Sequence, residues 1–215
     1  MEGGSALPVA TFPEPALARP ASMTARLCTA AAFGALLAVG FALWGGASTV
    51  ESWQRAARYT ARFSFLLFLP VFAARSWNAL SPSTLSRALL RQRRSLGLAF
   101  ATAHTVHLAG LATFFAVKGT RPDPVTLVVG GGAYLTLYAM AATSTDAAVR
   151  RLGRNWRRLH TFGVYYLWFV FAFTYGTRTL ERGLGYAPFL AAAIAALGLR
   201  LVSRRLRQPR AAAAR

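Results

Sequence analysis

Four stretches without a charged side chain, 27–50, 95–117, 124–145 and 159–177, divide this chain of 215 residues. At about 1.5 Å per helical residue, each spans or nearly spans a hydrocarbon core roughly 30 Å thick. Two further segments complete the pattern: 183–199 is a shorter uncharged run, and 59–77 is apolar between Arg62 and Arg75. Continuous runs of this length satisfy their backbone groups internally as helices. The sequence therefore predicts an all-α polytopic membrane protein, a six-transmembrane-helix bundle. Its spans are expected at 27–48, 59–77, 95–117, 124–145, 159–177 and 183–202, with Pro70 kinking the second. Hydrophobic residues at 55%, charged residues at 14% and a mean hydropathy of +0.38 exclude a soluble enzyme.

Charge is segregated along the chain. Eighteen of the 25 basic residues fall in four segments that share one side if the N-terminus is cytoplasmic. Those segments hold Arg19 and Arg26; Arg75 and Arg87–Arg94; Arg150–Arg158; and the arginines from Arg200 onward. The opposite side keeps Arg55, Arg58, Arg62, Lys118, Arg121, Arg178 and Arg182, with Glu51, Asp123 and Glu181 in its three loops. The positive-inside rule then places both termini in the cytoplasm. Residues 1–25 are rich in Pro, Ala and Gly and have no basic segment before an apolar core. They read as a disordered cytoplasmic tail with no cleavable signal peptide. Residues 26–203 form the membrane domain and 204–215 a basic cytoplasmic tail.

A net charge of +19 would suit nucleic acid, but the arginines lie in short clusters between apolar runs, and no polar domain remains to present them. The expected partner is membrane lipid, with no nucleic acid. Cys28 is the single cysteine, so intrachain disulfides are impossible and a thiolate metal site is not expected. Gly130, Gly131 and Gly132 lie inside a span, where close helix packing explains them better than phosphate binding.

Only three histidines occur, His104, His107 and His160. Imidazole is costly in hydrocarbon and marks bundle interiors, and neutral imidazole is the commonest metal ligand. His104 and His107 stand three apart, on nearly one helix face, among Gly97, Ala103 and Gly110. Small neighbours leave room for a flat macrocycle and equally allow close helix packing, so haem ligation and a polar packing network both remain open here. No acidic residue lies in any span to support a catalytic triad, and no carboxylate or thiolate stands nearby for zinc. Arg62 is the notable intramembrane charge. It either snorkels to the outer interface or pairs with a haem propionate.

The segments RRSLGLAFATAHTVHL (Arg93–Leu108), TSTDAAVRRLGRNWRRLH (Thr143–His160) and RFSFLLFLPVFAAR (Arg62–Arg75) resemble the ferric reductase-like transmembrane domain family over about residues 55–180. The Leu152–His160 signature is the most specific part. The resemblance implies b-type haem between the third and fifth spans, with His107 and His160 at family histidine positions and His104 as a neighbouring candidate. It also implies electron transfer from a quinol or a separate flavoprotein to ferric iron or a periplasmic redox partner, with a quinone as a candidate cofactor. The family often has a further histidine thirteen residues after His160, where this chain has Phe173. His104 lies roughly 15 Å past Arg94 and His160 roughly 3 Å past Arg158, so the two differ in depth by about 12 Å. One haem at most is expected. A haem-free membrane scaffold that keeps the fold is the alternative.

The charge asymmetry makes a direct prediction. Reporter fusions should place both termini, 87–94 and 150–158 in the cytoplasm, and a label at Arg154 reached from the periplasm would overturn this topology.

Overall fold

The computed structural model describes residues 22–45 and 48–212 of the chain. The expected N-terminal tail falls mostly in 1–21, outside the described residues, as do the last three residues of the expected C-terminal tail. Among the described residues the structure is helical, without strands. In chain order it comprises α1 (Met23–Trp44), α2 (Thr49–Leu80), α3 (Thr84–Arg91) and α4 (Arg93–Lys118). A π-helical turn (Thr126–Gly130) then leads into α5 (Gly131–Ala142), followed by α6 (Asp146–Leu152), α7 (Arg154–Arg182) and, after a 3₁₀ turn (Leu184–Tyr186), α8 (Ala187–Ala212).

Four of these stretches are long and apolar enough to cross a membrane: Met23–Trp44, Thr49–Leu80, Arg93–Lys118 and Leu184–Leu206. A fifth is added if Thr126–Ala142 and Asp146–Leu152, bent by 104° at their junction, count as one. The described residues thus supply four or five candidate spans where the sequence predicts six. The difference rests on α7. Its uncharged stretch 159–177 is long enough, but tyrosines, threonines, His160 and Trp168 lower its hydropathy below that of the others.

α2 is the central post, packing against α1, α4, α7 and α8. Phe65, Phe68 and Phe72 are fully buried on it and mesh with Phe100 of α4 and Phe171 and Tyr175 of α7. α1 meets α4 through Ala31, Ala35, Ala99 and Ala103, small side chains that let two backbones approach without a hydrophobic drive from lipid. Outward-facing Phe33, Phe41, Leu135, Phe162 and Phe173 give the bundle the apolar exterior of a lipid-embedded protein. α2 continues through Pro70, and two arginines reach the carbonyls just beyond it: Arg93 Nε donates to Val71 O (3.0 Å) and Arg200 Nη1 to Phe72 O (3.1 Å).

The segments between spans are more ordered than loops. Ser83 caps α3 through a reciprocal pair of bonds with Ser86, and Thr145 caps α6 by accepting from Ala148 N. Arg94 fastens α4 to α6, donating to Ser144 O (2.6 Å) and pairing with Asp146 (2.7 Å). At the other end Asp123 accepts from the Thr126 hydroxyl (2.6 Å) and the Thr126 backbone N–H (2.9 Å), and these bonds hold its carboxyl below the usual range. That cap is complete at neutral pH and is lost only as the pH falls through the depressed value.

α5 and α7 approach so closely that Gly163 has no room for a side chain. A Cβ there would overlap the Met140 sulfur and lie 2.9 Å from the Thr136 methyl. Met140 can swing aside, but the β-branched Thr136 cannot. Gly163→Val should cost about 1–3 kcal/mol through overpacking, read as a lower unfolding midpoint in detergent.

Candidate cofactor site

α4 carries His104 and His107 into the bundle, and their rings lie 5.0 Å apart. His107 turns towards α2, where its Nδ1 is 3.1 Å from Thr60 Oγ1. The hydroxyl of Thr60 has one proton, and it goes to Ala56 O at 2.7 Å. With that proton committed, the His107 ring would donate from Nδ1 towards Thr60; the ring also bonds the Ala57 backbone, and this arrangement would leave Nε2 its lone pair. This is the tautomer a metal-ligating imidazole adopts when an outer group fixes its second nitrogen.

His104 turns towards α5 and α7. Its ring stacks on Tyr134 at 4.9 Å and 20°, meets Phe171 edge-on at 5.6 Å and lies 5.2 Å from Phe100. Tyr134 also donates to the His104 carbonyl (3.3 Å). Nδ1 of His104 is buried with no hydrogen-bond partner. An unpaired polar atom in such a place is costly and marks a site that the protein alone does not complete. Three residues past His107, Gly110 is buried, yet a Cβ built on it would touch nothing within 4 Å. The helix face next to His107 thus borders unfilled space.

His160 is not brought to this pair. Its Nε2 lies 3.1 Å from Thr143 Oγ1, whose proton goes to Ala139 O at 2.7 Å, so here Nε2 is the donor. Trp156 stacks on the ring at 4.1 Å and donates to Thr143 O (2.9 Å). Gly153, at φ 48°, turns the chain from α6 into α7. The Gly153, Trp156 and His160 positions of the sequence signature together close this elbow. On α7 the residue facing His104 is Phe171, eleven positions or roughly 16 Å beyond His160. Phe173, the position read from the sequence as that of a further histidine, is exposed on the far face of α7 beside Phe169. Among the described residues no three of His, Cys, Asp or Glu gather as a metal-binding group, so the three histidines form no common centre.

Arg62 lies thirteen residues, roughly 20 Å, into α2 and only two beyond Thr60, which contacts His107. It sits at the end of the bundle where α7 turns into α8. Its guanidinium faces Tyr186 (5.0 Å) and Phe189 (5.1 Å), and its Nε is buried without a partner. Thr60 and Phe171 escaped the sequence reading because each belongs to the site only through contacts between distant helices. No local spacing reveals them.

The chain is 31% identical over 155 residues to the protein-methionine-sulfoxide reductase heme-binding subunit MsrQ of Cronobacter sakazakii (strain ATCC BAA-894). The match covers 65% of this chain and 76% of that protein. No family model matches the chain, and no solved structure matches it.

The pairing of Thr60 with His107 generates a test of its own. Thr60→Val keeps the shape but removes one of the two partners of the His107 ring, leaving the Ala57 backbone, and should destabilise the protein by about 0.5–1.5 kcal/mol in detergent unfolding.

Proposed function

The chain belongs to the family of haem-binding subunits of protein-methionine-sulfoxide reductase, and on that premise we propose that it holds one b-type haem inside a six-span bundle and relays electrons across it. Haem, when bound, supplies a one-electron carrier. The observation that carries the reading is the buried contact of His107 Nδ1 with Thr60 Oγ1 at 3.1 Å: with the Thr60 proton on Ala56 O, the ring would donate from Nδ1 and offer Nε2 to iron. The surroundings fit a haem in two further respects. Unfilled space adjoins the buried Gly110, and His104 Nδ1 and Arg62 Nε are buried donors or acceptors that the protein does not satisfy.

His107 is the proposed axial ligand. His104, one turn away on the same helix, cannot occupy the opposite face of the same ring, so its place is beside the macrocycle or as an alternative to His107. His160 is held by Thr143 and Trp156 at another level, and would have to give up its bond to Thr143 to offer Nε2. The aromatic wall of Phe100, Tyr134 and Phe171 excludes water and carries no second imidazole. The donor is a quinol or a separate flavoprotein, and the acceptor is ferric iron or a periplasmic partner. Both termini lie in the cytoplasm, as the arginine distribution directs.

The haem-free scaffold stands as a second reading on one observation: Phe171 fills the α7 position opposite His104, so the core is closed by packing alone. A reduced-minus-oxidised spectrum of the detergent-purified protein, with haem quantified per chain, separates the two. His107→Ala should abolish the haem or reduce it sharply. His104→Ala should retain more haem than His107→Ala, and His160→Ala should retain most of it. Stoichiometric haem in all three variants would sink the assignment, and none in the wild type would favour the scaffold.

A further inference from the structure

Arg62 is a permanent charge packed against the start of α8 with its Nε buried, and none of the carboxylates on the described residues is committed to it. Asp123 is bonded to Thr126, Asp146 pairs with Arg94, Glu181 lies against Arg178, and Glu51 is exposed in the first turn of α2. The two rings that face its guanidinium satisfy the flat face of the ion and leave its edge, including Nε, without an acceptor. Across Phe189 stands a second group in the same condition. Tyr175 is 4% exposed, its ring stacks on Phe189 at 5.1 Å, and its hydroxyl has no hydrogen-bond partner.

Two unpaired donors, one of them charged, therefore share one aromatic ring in a region of low dielectric. Leaving either bond unmade is costly, and more so for the charged group. An acceptor with two oxygens and a negative charge relieves both at once, which is the description of a carboxylate. We propose that Arg62 and Tyr175 form a carboxylate-binding site that holds a propionate of the bound haem. The inference rests on the haem reading and adds to it Tyr175, a positioning residue, and the direction in which the carboxyl edge of the ring points, towards the start of α8. Tyr175 belongs to the same α7 face as Phe171, one turn further on, so the wall next to His104 and the clamp on the carboxylate are built by one helix.

Removing a donor from a bound propionate leaves its negative charge less compensated, which favours ferric over ferrous iron. In the full-length detergent-purified protein, Tyr175→Phe should keep haem and lower its midpoint potential. Arg62→Gln should lower the potential further and weaken retention, whereas Arg62→Lys, which keeps the charge, should return it towards the wild-type value. The Tyr175→Phe and Arg62→Gln shifts should be less than additive in the double variant, because both act on one carboxylate. Wild-type potential in Tyr175→Phe at full haem content would overturn the inference and leave the haem reading intact. A wild-type protein without haem would overturn both. Should Arg62→Gln fail to fold, Tyr175→Phe, which only removes an oxygen, decides alone.

Discussion

A hydroxyl or imidazole in hydrocarbon must find its partner within the bundle, and this requirement orders the interior of the protein. Several threonines and a serine of the helices meet it in one way. Thr60, Thr102, Thr105, Thr113, Thr143 and Ser144 each donate to the carbonyl four residues earlier. Once its proton is committed there, such an oxygen is only an acceptor. Where an imidazole meets it, the ring must supply the hydrogen. Thr60 and Thr143 thereby fix the tautomers of His107 and His160, in opposite senses: the first leaves Nε2 free and the second engages it. A backbone-level habit of membrane helices thus distinguishes a nitrogen offered to a ligand from one used for structure.

The same requirement explains where charge is tolerated. Arg93 and Arg200 place donors on carbonyls of α2, and Arg200 also lies over Phe72 and Tyr165 at 4.3 and 4.5 Å. Their charges are accommodated by the protein itself. Arg62 has rings but no acceptor for Nε, and His104 has rings but no partner for Nδ1. Both unsatisfied groups belong to helices that converge on Phe65, which contacts Phe171, Tyr175 and Phe189. Buried polar atoms without a partner are not confined to these two residues: Arg55, Ser64 and Tyr165 carry them as well.

Much of the scaffold was legible in the sequence, because length without charge is a direct physical signature of a membrane helix. The six helices expected from the uncharged runs correspond to α1, α2, α4, the turn with α5, α7 and α8, although only four or five carry the apolarity of a span. The basic linkers gave no such signal. α3 and α6 are short helices set by serine and threonine caps, and a cap declares itself only when the fold positions the helical turn it begins. Site residues were legible by type and not by address. Three histidines and one arginine announced themselves as costly in lipid, but the depth of Arg62 depends on how far α2 extends beyond its apolar stretch. Thr49 begins that helix ten residues earlier than the apolar run. The facing of α7 was illegible for a related reason: Phe171 and Phe173 are equally apolar, and only packing assigns one inward and the other to lipid.

The relation between the two readings of the core turns on Phe171. A phenyl ring opposite His104 gives up a ligand and gains dispersion contacts with Phe65, Phe68 and Phe100, so the interior is stable without a cofactor. A bundle whose haem is held from both sides needs the metal to fix the spacing of two helices. Here the helices α2, α4 and α7 are already spaced by aromatic contacts, and His107 is already oriented by Thr60. An interior ordered in this way is preorganised: little conformational entropy would remain to be lost if a ligand entered. The unfilled space at Gly110 and the unpaired edge of Arg62 are what preorganisation by packing cannot supply, and they are the features by which a scaffold that merely kept the fold would be expected to differ.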